Sequence, residues 1–489
     1  MDEQKNEVES TEGKPANEVK LEDIVSLAKR RGFIFPGSDV YGGLAGTWDY
    51  GPLGVELKRN IMNLWWKMFV TDRGDMYGVD AAILMNQKVW QASGHVDTFT
   101  DPLVECSNCK GRFRANKLEK PDTCPTCGQK NTFGPERQFN MMLRTMVGPS
   151  EGTPTVVATD ERVIEIEAGD YRVKLDKEFE EIRAGAFILN PATSFLRPET
   201  AQGIFTNFKN VVDTIYPDVP FGIAQQGKAF RNEISPRDFI FRSREFEQME
   251  IEYFVHPEQW EGEFEKWVAA CKAWFTALGL PDGSVHELEV TEADRAHYSK
   301  RTIDFEFDYP IGREELMGLA YRTSFDLDNI AKASGKGMEY RPKDGSAPYV
   351  PHVIEPSFGV ERAVMAVLCS AYWHDTENDR VVLRLPYELA PVKVAVCPLA
   401  KNNPELVAKA REIYAQLKKD IGAVMWIDSG NIGKNYRKMD EIGVPYCVTI
   451  DFDTLEGDTK DTVTVRSRNT LKQERHKTAD LVSLLSNAK

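Results

Sequence analysis

The sequence predicts a chain of mixed α and β structure that ends in a separate α/β domain. Residues on both sides of a polar loop within Ala229–Phe254 alternate as they do in strands, whereas apolar residues within Val55–Val70 recur at helical spacing. After the proline-bounded linker Leu385–Pro391, short apolar runs alternate with helix-like runs to the end of the chain. We therefore expect a large body of strands and helices, followed over residues 390–489 by a compact domain with a mostly parallel sheet.

Length and composition indicate a soluble globular protein. The 489 residues suffice for about three domains, 42% of them are apolar, and the net charge is −15. That charge argues against a general nucleic-acid coat, although residues 390–489 are mildly basic. Residues 1–20 are polar and acidic, so we expect a disordered tail without a secretory signal. No apolar run reaches the ~18 residues of a transmembrane helix, which predicts a cytoplasmic protein with no membrane partner.

The first part of the chain predicts two helices on either side of a glycine-rich stretch. Leu21–Arg30 is amphipathic and ends before Gly32. Pro36–Gly54 is dense in glycine and aromatic residues, a composition that lets backbone approach other groups closely. Val55–Val70 has a broad apolar stripe with two adjacent tryptophans, which suits either a core helix or a helix at a subunit interface.

Four clustered cysteines give the strongest purely chemical signal. Two Cys-x-x-Cys pairs lie fourteen residues apart within an element at residues 104–130. Four thiolates close a tetrahedral zinc site and leave no position for water, so the zinc is expected to be structural. Free thiols or redox chemistry are the alternatives. The four residues are Cys106, Cys109, Cys124 and Cys127.

Residues 150–187 predict an insertion whose function the sequence does not indicate. Val163–Glu167 and Tyr171–Leu175 alternate on either side of a Gly-Asp turn, which favours a β-hairpin, and a charged helix-like run follows. Directly after the insertion, Arg197 and Glu199 precede the helix-capable segment Ala201–Phe208.

The stretch Ala229–Phe254 carries the clearest functional pattern. Arg231 and Glu233 lie two apart in one extended run, so their charges share a face. The residues that alternate along the return run are Phe246, Gln248, Glu250, Glu252 and Phe254. The loop between the runs contributes three arginines suited to bidentate phosphate binding, Arg237, Arg242 and Arg244. Taken alone, the segment fits either a platform for an anionic ligand or a solvated hairpin with cross-strand ion pairs.

Later segments add carboxylates and one more arginine. Trp260–Leu278 is an amphipathic helix. A strand at Phe305–Tyr309 is followed by a Glu pair at 314–315 and by the acidic run Tyr321–Asp328, where carboxylates are candidate Mg²⁺ ligands. His352–Arg362 runs from a strand into an apolar helix, which puts an arginine in the first turn beside a glycine, a suitable place for a triphosphate.

Three of these segments together resemble the class II aminoacyl-tRNA synthetases. The residues that match the second motif of that family are Phe230, Arg231, Glu233, Arg242 and Phe246. Gly359–Arg362 matches the third motif, and the Val55–Val70 helix resembles the first, which builds a dimer interface in the family. The resemblance implies an α+β catalytic core over residues 21–385, with an antiparallel sheet flanked by helices and the zinc element inserted in it.

The resemblance also implies an ATP site. Arg231 would hold the α-phosphate, Glu233 would accept from the adenine amino group, and the Phe246 ring would stack under the base. Arg231 and Arg362 would be catalytic by neutralising charge. The implied ATP-binding residues are Arg231, Asn232, Glu233, Phe241, Arg242, Phe246, Glu315, Leu316, Gly359 and Arg362. Among them, Glu315 is the candidate ligand for Mg²⁺.

Further runs resemble the homodimeric type of glycyl-tRNA synthetase across nearly the whole chain. They are Trp48–Gly54, Ser93–His95, Arg197–Gly203, Gly227–Arg237 and Ile354–Ser357. This resemblance implies ATP, glycine and tRNA-Gly as substrates, a homodimer, an anticodon-binding domain at residues 390–489, and a small acidic pocket that excludes larger side chains. The implied glycine-binding residues are Arg114, Glu199, Phe246, Gln248, Glu250, Glu355 and Ser357.

Two alternatives stay open at this point. One is a class II synthetase of the threonyl or prolyl type, although the Cys-His-His metal set that the threonyl type requires does not occur around the motifs. The other is a non-catalytic, synthetase-like protein that binds tRNA or another nucleic acid. Such a relative typically lacks the phosphate-binding arginines, whereas Arg231, Arg242 and Arg362 are all present.

Overall fold

A computed structural model of the chain describes residues 19–148, 155–157, 163–165, 187–188, 193–296 and 298–486. No helix within these residues is both long and apolar enough to cross a membrane. The predicted acidic tail lies outside them except for its last two residues. Of the predicted insertion at residues 150–187, only short strands are described, and its second hairpin strand and its helix-like run lie outside the described residues.

The helices and strands follow one another along the whole described chain. The helices are α1 (Leu21–Arg31), α2 (Pro52–Trp66), α3 (Gln87–Ala92), α4 (His95–Thr98), α5 (Ala201–Ile215), α6 (Trp260–Ala277), α7 (Phe325–Ser334), α8 (Val360–Ala371), α9 (Pro404–Ile421), α10 (Ile432–Glu441) and α11 (Leu481–Ser486). The first twelve strands are β1 (Ile34–Pro36), β2 (Trp48–Tyr50), β3 (Met76–Gly78), β4 (Thr100–Glu105), β5 (Arg112–Arg114), β6 (Arg137–Asn140), β7 (Leu143–Met146), β8 (Thr155–Val157), β9 (Val163–Glu165), β10 (Phe187–Ile188), β11 (Thr193–Leu196) and β12 (Phe221–Phe230). The remaining strands are β13 (Glu245–Val255), β14 (Val285–Glu289), β15 (Arg301–Tyr309), β16 (Gly312–Thr323), β17 (His352–Gly359), β18 (Tyr372–Asp375), β19 (Arg380–Leu383), β20 (Val394–Pro398), β21 (Val424–Trp426), β22 (Tyr446–Ile450), β23 (Thr462–Ser467) and β24 (Gln473–Lys477).

A seven-stranded sheet forms the centre of the large body. Its strand order is β14-β15-β16-β17-β13-β12-β3, and each neighbouring pair is antiparallel except β12 with β3. This confirms the antiparallel sheet expected for the catalytic core. The pairing of β12 with β13 runs from Phe221 opposite Phe254 to Phe230 opposite Glu245, so the loop between the two strands emerges at one end of the sheet.

Helices α2, α6 and α8 pack on this sheet in one continuous apolar core. The Trp65 ring of α2 lies 5.7 Å from Phe358 of β17, measured between ring centroids. The apolar stripe of α2 is therefore buried within its own chain. Gly54 lies near the start of α2, where a β-carbon would come 1.8 Å from the carbonyl oxygen of Phe33, so only glycine fits there.

The C-terminal residues form a five-stranded mixed sheet in the order β21-β20-β22-β23-β24. The first three strands are parallel and the last two are antiparallel. The expectation of a mostly parallel sheet is therefore wrong, because the last two strand pairings are antiparallel. The sequence also did not predict β24. Gln473–Lys477 is an edge strand of charged and polar residues, which lacks the apolar alternation of a buried strand.

A buried ionic network joins the two parts of the chain. Asp440 of α10 accepts hydrogen bonds from Arg466 of β23 at 2.8 and 2.9 Å and from Arg380 of β19 at 2.8 Å. Arg380 also donates to Asp375 at 2.8 Å. Because all four side chains are buried, this network fixes how the C-terminal sheet sits against the catalytic body.

Candidate active site

A cavity of about 300 Å³ lies where β13, β16 and β17 meet the start of α8 and the loop between β12 and β13. Most residues predicted to bind ATP or glycine line it: Arg114, Arg231, Glu233, Phe241, Arg242, Phe246, Gln248, Glu315, Leu316, Ser357, Gly359 and Arg362. Asn232, Glu199, Glu250 and Glu355 are the predicted residues that do not line it. Of these, Asn232 anchors the loop between β12 and β13, because its backbone N–H donates to the Met141 carbonyl at 2.8 Å.

The segment that carries Arg231 and Glu233 is not a strand, contrary to the sequence prediction. Strand β12 ends at Phe230, and the Glu233 N–H donates back to the Arg231 carbonyl at 2.8 Å, which closes a tight turn. The expected shared strand face is therefore wrong, although both side chains still line the same cavity. The Arg231 N–H still donates to the Arg244 carbonyl at 2.9 Å, and the turn forms directly after it, where the chain leaves the sheet.

Arg231 is held in place from three sides. Its Nε donates to the carbonyl oxygen of Pro198 at 3.1 Å. The centre of the guanidinium lies 5.3 Å from the Phe246 ring centroid and 5.5 Å from that of Phe99, within cation–π range. These contacts position a permanent cation at the wall of the cavity, where it can meet a phosphate.

Glu233 has an unused hydrogen-bonding atom. Its Oε2 is buried, lies 3.5 Å from Arg242 Nη1, and makes no hydrogen bond to any described residue. A buried carboxylate oxygen without a donor is costly, so this atom is available for an N–H group of a ligand. Of the other loop arginines, Arg244 donates to two backbone carbonyls and Arg237 is exposed, and neither lines the cavity.

Arg362 lies in the first turn of α8 because Gly359 ends β17 and caps the helix. Its Nη1 is 3.0 Å from Glu315 Oε2, and its guanidinium centre lies 4.8 Å from the Phe241 ring centroid. The charge of Arg362 holds the pKa of the Glu315 carboxyl below its usual range. Glu315 therefore stays ionised and can offer an oxygen to a hard cation such as Mg²⁺.

Two further acids beside this cavity, Asp304 and the Glu361 of the third motif, have raised pKa values that the sequence did not predict. Burial, together with the nearby Glu315, raises the pKa of Asp304 to about 7. Burial also raises the pKa of Glu361 to about 7, and its carboxylate accepts from the Glu247 N–H at 2.9 Å. No spacing in the sequence distinguishes these acids, since burial alone causes most of the shift.

A second, deeper group of acids lies next to the cavity, and we call it the acidic pocket. Its members are Glu199, Glu250, Glu252, Asp326 and Glu355. Glu250 connects the pocket to the cavity, because it accepts from the Ser357 hydroxyl at 2.7 Å and from Gln248 Nε2 at 2.9 Å. Both of those residues line the cavity. Glu250 also accepts from the backbone N–H of Thr200 at 2.8 Å and from its hydroxyl.

One arginine holds two members of the acidic pocket. Arg322 Nη1 donates to Glu355 at 2.8 Å, and its Nε and Nη2 donate to Asp326 at 2.8 and 3.0 Å. The sequence analysis missed the role of Arg322 and Asp326, although both lie in the run Tyr321–Asp328 that it singled out for Mg²⁺. The structure instead pairs Asp326 with Arg322, and Asp326 does not line the cavity that holds Glu315.

The acids of the pocket have opposite protonation tendencies. Burial raises the pKa of Glu355 to about 8, with Arg322 opposing it, and burial with the charge of Glu199 raises the pKa of Glu250. Burial acts to raise the pKa of Glu199 as well, but His95 and Arg322 outweigh it and lower the value to about 2. His95 Nε2 lies 3.4 Å from the Glu199 carboxylate. The pocket therefore favours an added cation, which would stabilise its ionised carboxylates.

The predicted zinc element reaches the same cavity. Strands β4 and β5 pair antiparallel, and Arg114 at the end of β5 extends into the cavity, where its Nη2 lies 2.9 Å from Asp101 of β4. The four cysteine sulfurs lie within 4.8 Å of one another. Sγ–Sγ distances of 3.8 Å for Cys106–Cys127 and 3.6 Å for Cys109–Cys124 match the ~3.8 Å edge of a tetrahedron with Zn–S bonds of about 2.3 Å. The donor set therefore fits zinc.

Comparison with protein-family models finds two matches that together cover most of the chain. Residues 189–371 match the model described as the class II tRNA synthetase core domain (G, H, P, S and T). Residues 393–488 match the model described as an anticodon binding domain. The first match contains β12, β13, β17 and α8, which build the cavity, and the second covers the five-stranded C-terminal sheet.

Similar full-length proteins share one name. The chain is 44% identical to the glycine–tRNA ligase of Alkaliphilus oremlandii, over 96% of this chain and 99% of that protein. It is 44% identical to the enzyme of Streptomyces coelicolor, over 93% of this chain and 95% of the relative. It is 44% identical to that of Borreliella burgdorferi (strain B31), over 96% and 97%. With this similarity along nearly its whole length and the arginines of the class II motifs in one cavity, the chain belongs to the glycine–tRNA ligase family of class II aminoacyl-tRNA synthetases.

Proposed function

We propose that this chain activates glycine with ATP to form glycyl-adenylate and pyrophosphate, and then transfers the glycine to the 3′ end of tRNA-Gly. One observation carries the proposal: a cavity lined by Arg231, Arg242 and Arg362 adjoins a buried pocket of carboxylates. The first part suits a polyphosphate and the second suits an ammonium group. The reaction requires the polyphosphate and the amino acid to lie in contact.

ATP would bind with its phosphates along the arginines. Arg231 would contact the α-phosphate, while Arg242 and Arg362 would contact the outer phosphates. The free Oε2 of Glu233 would accept from the adenine amino group, and Phe246 would stack on the base. The remaining residues expected to complete this site are Asn232 at the loop backbone, Phe241 beside Arg362, Glu315, Leu316 and Gly359.

Glycine would bind between the cavity and the acidic pocket. Its ammonium would lie among Glu199, Glu250 and Glu355, and its carboxylate would point toward Arg231. The Ser357 hydroxyl bonded to Glu250 closes the space that a substrate side chain would need. The site would therefore discriminate against larger amino acids by leaving no room for a side chain. This excludes alanine only if the wall of the site is rigid. The hydrogen bonds that converge on Glu250 supply that rigidity.

Activation needs no protein nucleophile. A carboxylate oxygen of glycine attacks the α-phosphorus, the new O–P bond forms, and the bond to the β-phosphate oxygen breaks in line to release pyrophosphate. Arg231 offsets the charge that develops on the α-phosphoryl oxygens, and Arg362 with Arg242 stabilises the leaving group. A ribose hydroxyl at the 3′ end of tRNA then attacks the glycyl carbonyl, and AMP leaves.

Two metals fit residues of this chain. Glu315 would offer one oxygen to Mg²⁺ bound with ATP, and that ion would neutralise phosphate charge. Cys106, Cys109, Cys124 and Cys127 would hold a structural zinc that keeps Arg114 at the cavity. Because the four thiolates leave no open position, the zinc would not take part in the reaction.

The domain boundaries, the assembly and the compartment are also part of the proposal. We infer a catalytic domain at residues 21–385 with insertions at 104–130 and 150–187, and an anticodon-binding domain at residues 390–489, supported by the family match at 393–488. We also infer a cytoplasmic homodimer. A second copy would cover the apolar side chains of Val40, Tyr41 and Leu44, which are 92%, 91% and 60% exposed.

The test is amino-acid-dependent ATP–pyrophosphate exchange, measured separately with each of the twenty amino acids. Stimulation by glycine alone, followed by glycine transfer to tRNA-Gly, is the expected result. Stimulation by threonine or proline would overturn the glycine assignment. Absence of exchange with every amino acid would favour the non-catalytic alternative.

A further inference from the structure

Glu252 is the member of the acidic pocket that has no hydrogen-bonding partner within the part of the chain that the structure describes. It is 0% exposed, and neither of its carboxylate oxygens is hydrogen-bonded to any described residue. Glu250 has three donor residues, Glu355 and Asp326 share Arg322, and Glu199 faces His95. The reaction outlined above makes no use of Glu252.

The position of Glu252 follows from the strand register. It lies two residues beyond Glu250 on β13 and therefore on the same face. Glu250 lies opposite Ser357 of β17, and Tyr253 lies opposite Ile354, which puts Glu252 beside Glu355. On the β12 side its neighbour is Ile223, which belongs to a buried apolar cluster. Glu252 thus lies between the acids of the pocket and an apolar core.

The charges around Glu252 do not balance when every acid is ionised. The charged groups that face it are Glu250 on its own strand, Glu355 on β17, Arg322 on β16 and Asp326 on α7. Arg322 already pairs with two of these three acids, and no cation remains for Glu252 among the described residues. The side chains that α5 brings to this region, Phe205 and Gln202, are uncharged, and Gln202 Nε2 donates to Asp326 at 2.8 Å rather than to Glu252. The β12 neighbour, Ile223, is apolar.

An ionised Glu252 would therefore be both desolvated and close to three acids, Glu250, Glu355 and Asp326. Burial first, and then the charge of Glu355, raises the pKa of Glu252 well above its ordinary value. With no cation in the pocket, the neutral acid is the stable form. An ammonium placed among Glu199, Glu250 and Glu355 would add the missing positive charge beside Glu252, because Glu250 and Glu355 are its neighbours on β13 and β17.

We propose that Glu252 holds a proton in the glycine-free protein and releases it when the ammonium of glycine enters the acidic pocket. This inference rests on the proposed binding of glycine. The O–H bond of Glu252 breaks, the proton leaves to solvent buffer, and one positive charge replaces another, so the net charge of the pocket is unchanged. Glu252 is then a positioning residue, which acts through the charges of the neighbouring acids rather than on the substrate directly.

Isothermal titration calorimetry of glycine into the full-length protein tests the proposal. Titrations at pH 7 in two buffers with different heats of ionisation give the number of protons released, and titrations from pH 6 to pH 8 give the pH dependence of the Kd. The variants are Glu252→Gln, which keeps the shape but has no proton to release, and Glu252→Leu, which suits the apolar neighbours should the amide disturb folding. Glu258→Gln, an exposed acid just beyond β13, is the matched control.

The wild type and the control are expected to release up to one proton per glycine, with affinity that increases up to tenfold per pH unit. Glu252→Gln should release less than half of that amount and bind like wild type at pH 6 but more weakly at pH 8. Wild-type binding without proton release would overturn the proposal, as would undiminished release in both Glu252 variants, which would assign the proton to Glu355 or Glu250. If wild-type protein binds no glycine, the proposed function fails and this inference fails with it.

Discussion

Replacing Arg231 by alanine is the sharpest test of the proposed chemistry. Arg231 is the arginine expected at the α-phosphate, where charge develops as glycine attacks. The substitution removes the guanidinium and leaves the cavity otherwise intact, because its neighbours Phe99 and Phe246 do not depend on it for their place in the fold. Arg237→Ala is a matched control, since Arg237 belongs to the same loop but does not line the cavity.

The expected effects on rate and on stability differ in size. Removing one preorganised donor to a developing oxyanion costs about 10²–10³ in rate, or about 2.7–4 kcal/mol. For folding, Arg231→Ala loses one hydrogen bond to the Pro198 carbonyl and two cation–π contacts, on a side chain that is only partly buried. That loss is about 2 kcal/mol, a few degrees in the melting temperature of a chain this large.

The measurement is glycine-dependent ATP–pyrophosphate exchange, which does not require tRNA, together with thermal unfolding of the same samples. We expect exchange to fall at least a hundredfold in Arg231→Ala and to stay close to wild type in Arg237→Ala. Arg231→Lys should give an intermediate rate, because lysine keeps the charge but loses the planar fork. A variant without Arg231 that folds and retains near-normal exchange would refute the reasoning.

Three other predictions concern the pocket, the metal and the fold. Ser357→Val should weaken glycine-dependent exchange by tenfold or more without allowing alanine to bind, since the methyl groups of the valine would occupy the space beside Glu250. Undiminished glycine-dependent exchange would contradict this prediction. Purified protein should contain one zinc per chain, and Cys124→Ser should lose the metal and unfold at a lower temperature, as measured by metal analysis and calorimetry. Asp440→Asn should cost about 3–5 kcal/mol of folding free energy in denaturant titrations, because it leaves buried arginines unpaired.

One prediction follows from the raised pKa of Glu355. The carboxyl ionises near its ordinary value of 4.5 in the unfolded chain but near 8 in the folded protein. The folded state therefore binds more protons between these values, and the contribution of this group to stability falls as pH rises from about 4.5 to 8. Melting temperatures across this range should show that Glu355→Gln gains stability relative to wild type as pH increases. A constant difference would mean that Glu355 ionises normally.

Most of the residues that the sequence proposed for ATP line one cavity, because short motifs carry them. Arg231, Arg242 and Arg362 are separated by up to 131 positions, yet each lies in a run whose chemistry and neighbours suggest phosphate binding. The four cysteines were equally easy to recognise as candidate metal ligands, since metal-ligand spacing is a local property of the chain. Local patterns also located helices well, as the agreement for α1 and α6 shows.

The sequence misled where local pattern and tertiary context disagree. Alternation suggested that Arg231 and Glu233 lie on a strand, but β12 ends at Phe230 and the chain turns between Arg231 and Glu233. Three arginines in one loop looked alike, and only the fold distinguishes Arg242, which lines the cavity, from Arg244, which binds backbone carbonyls. The charged edge strand β24 has no periodic signal at all.

By itself, the sequence determined the family and indicated the candidate residues for phosphate binding, because these depend on which groups are present and in what order. Only the tertiary structure decided how the acids share their charges. It paired Arg322 with Asp326 and Glu355, and it left Glu252 buried without a donor among the residues that the structure describes. The sequence shows where a carboxyl group is, but not whether it is charged. Its charge depends on burial and on neighbours that the fold brings from distant parts of the chain.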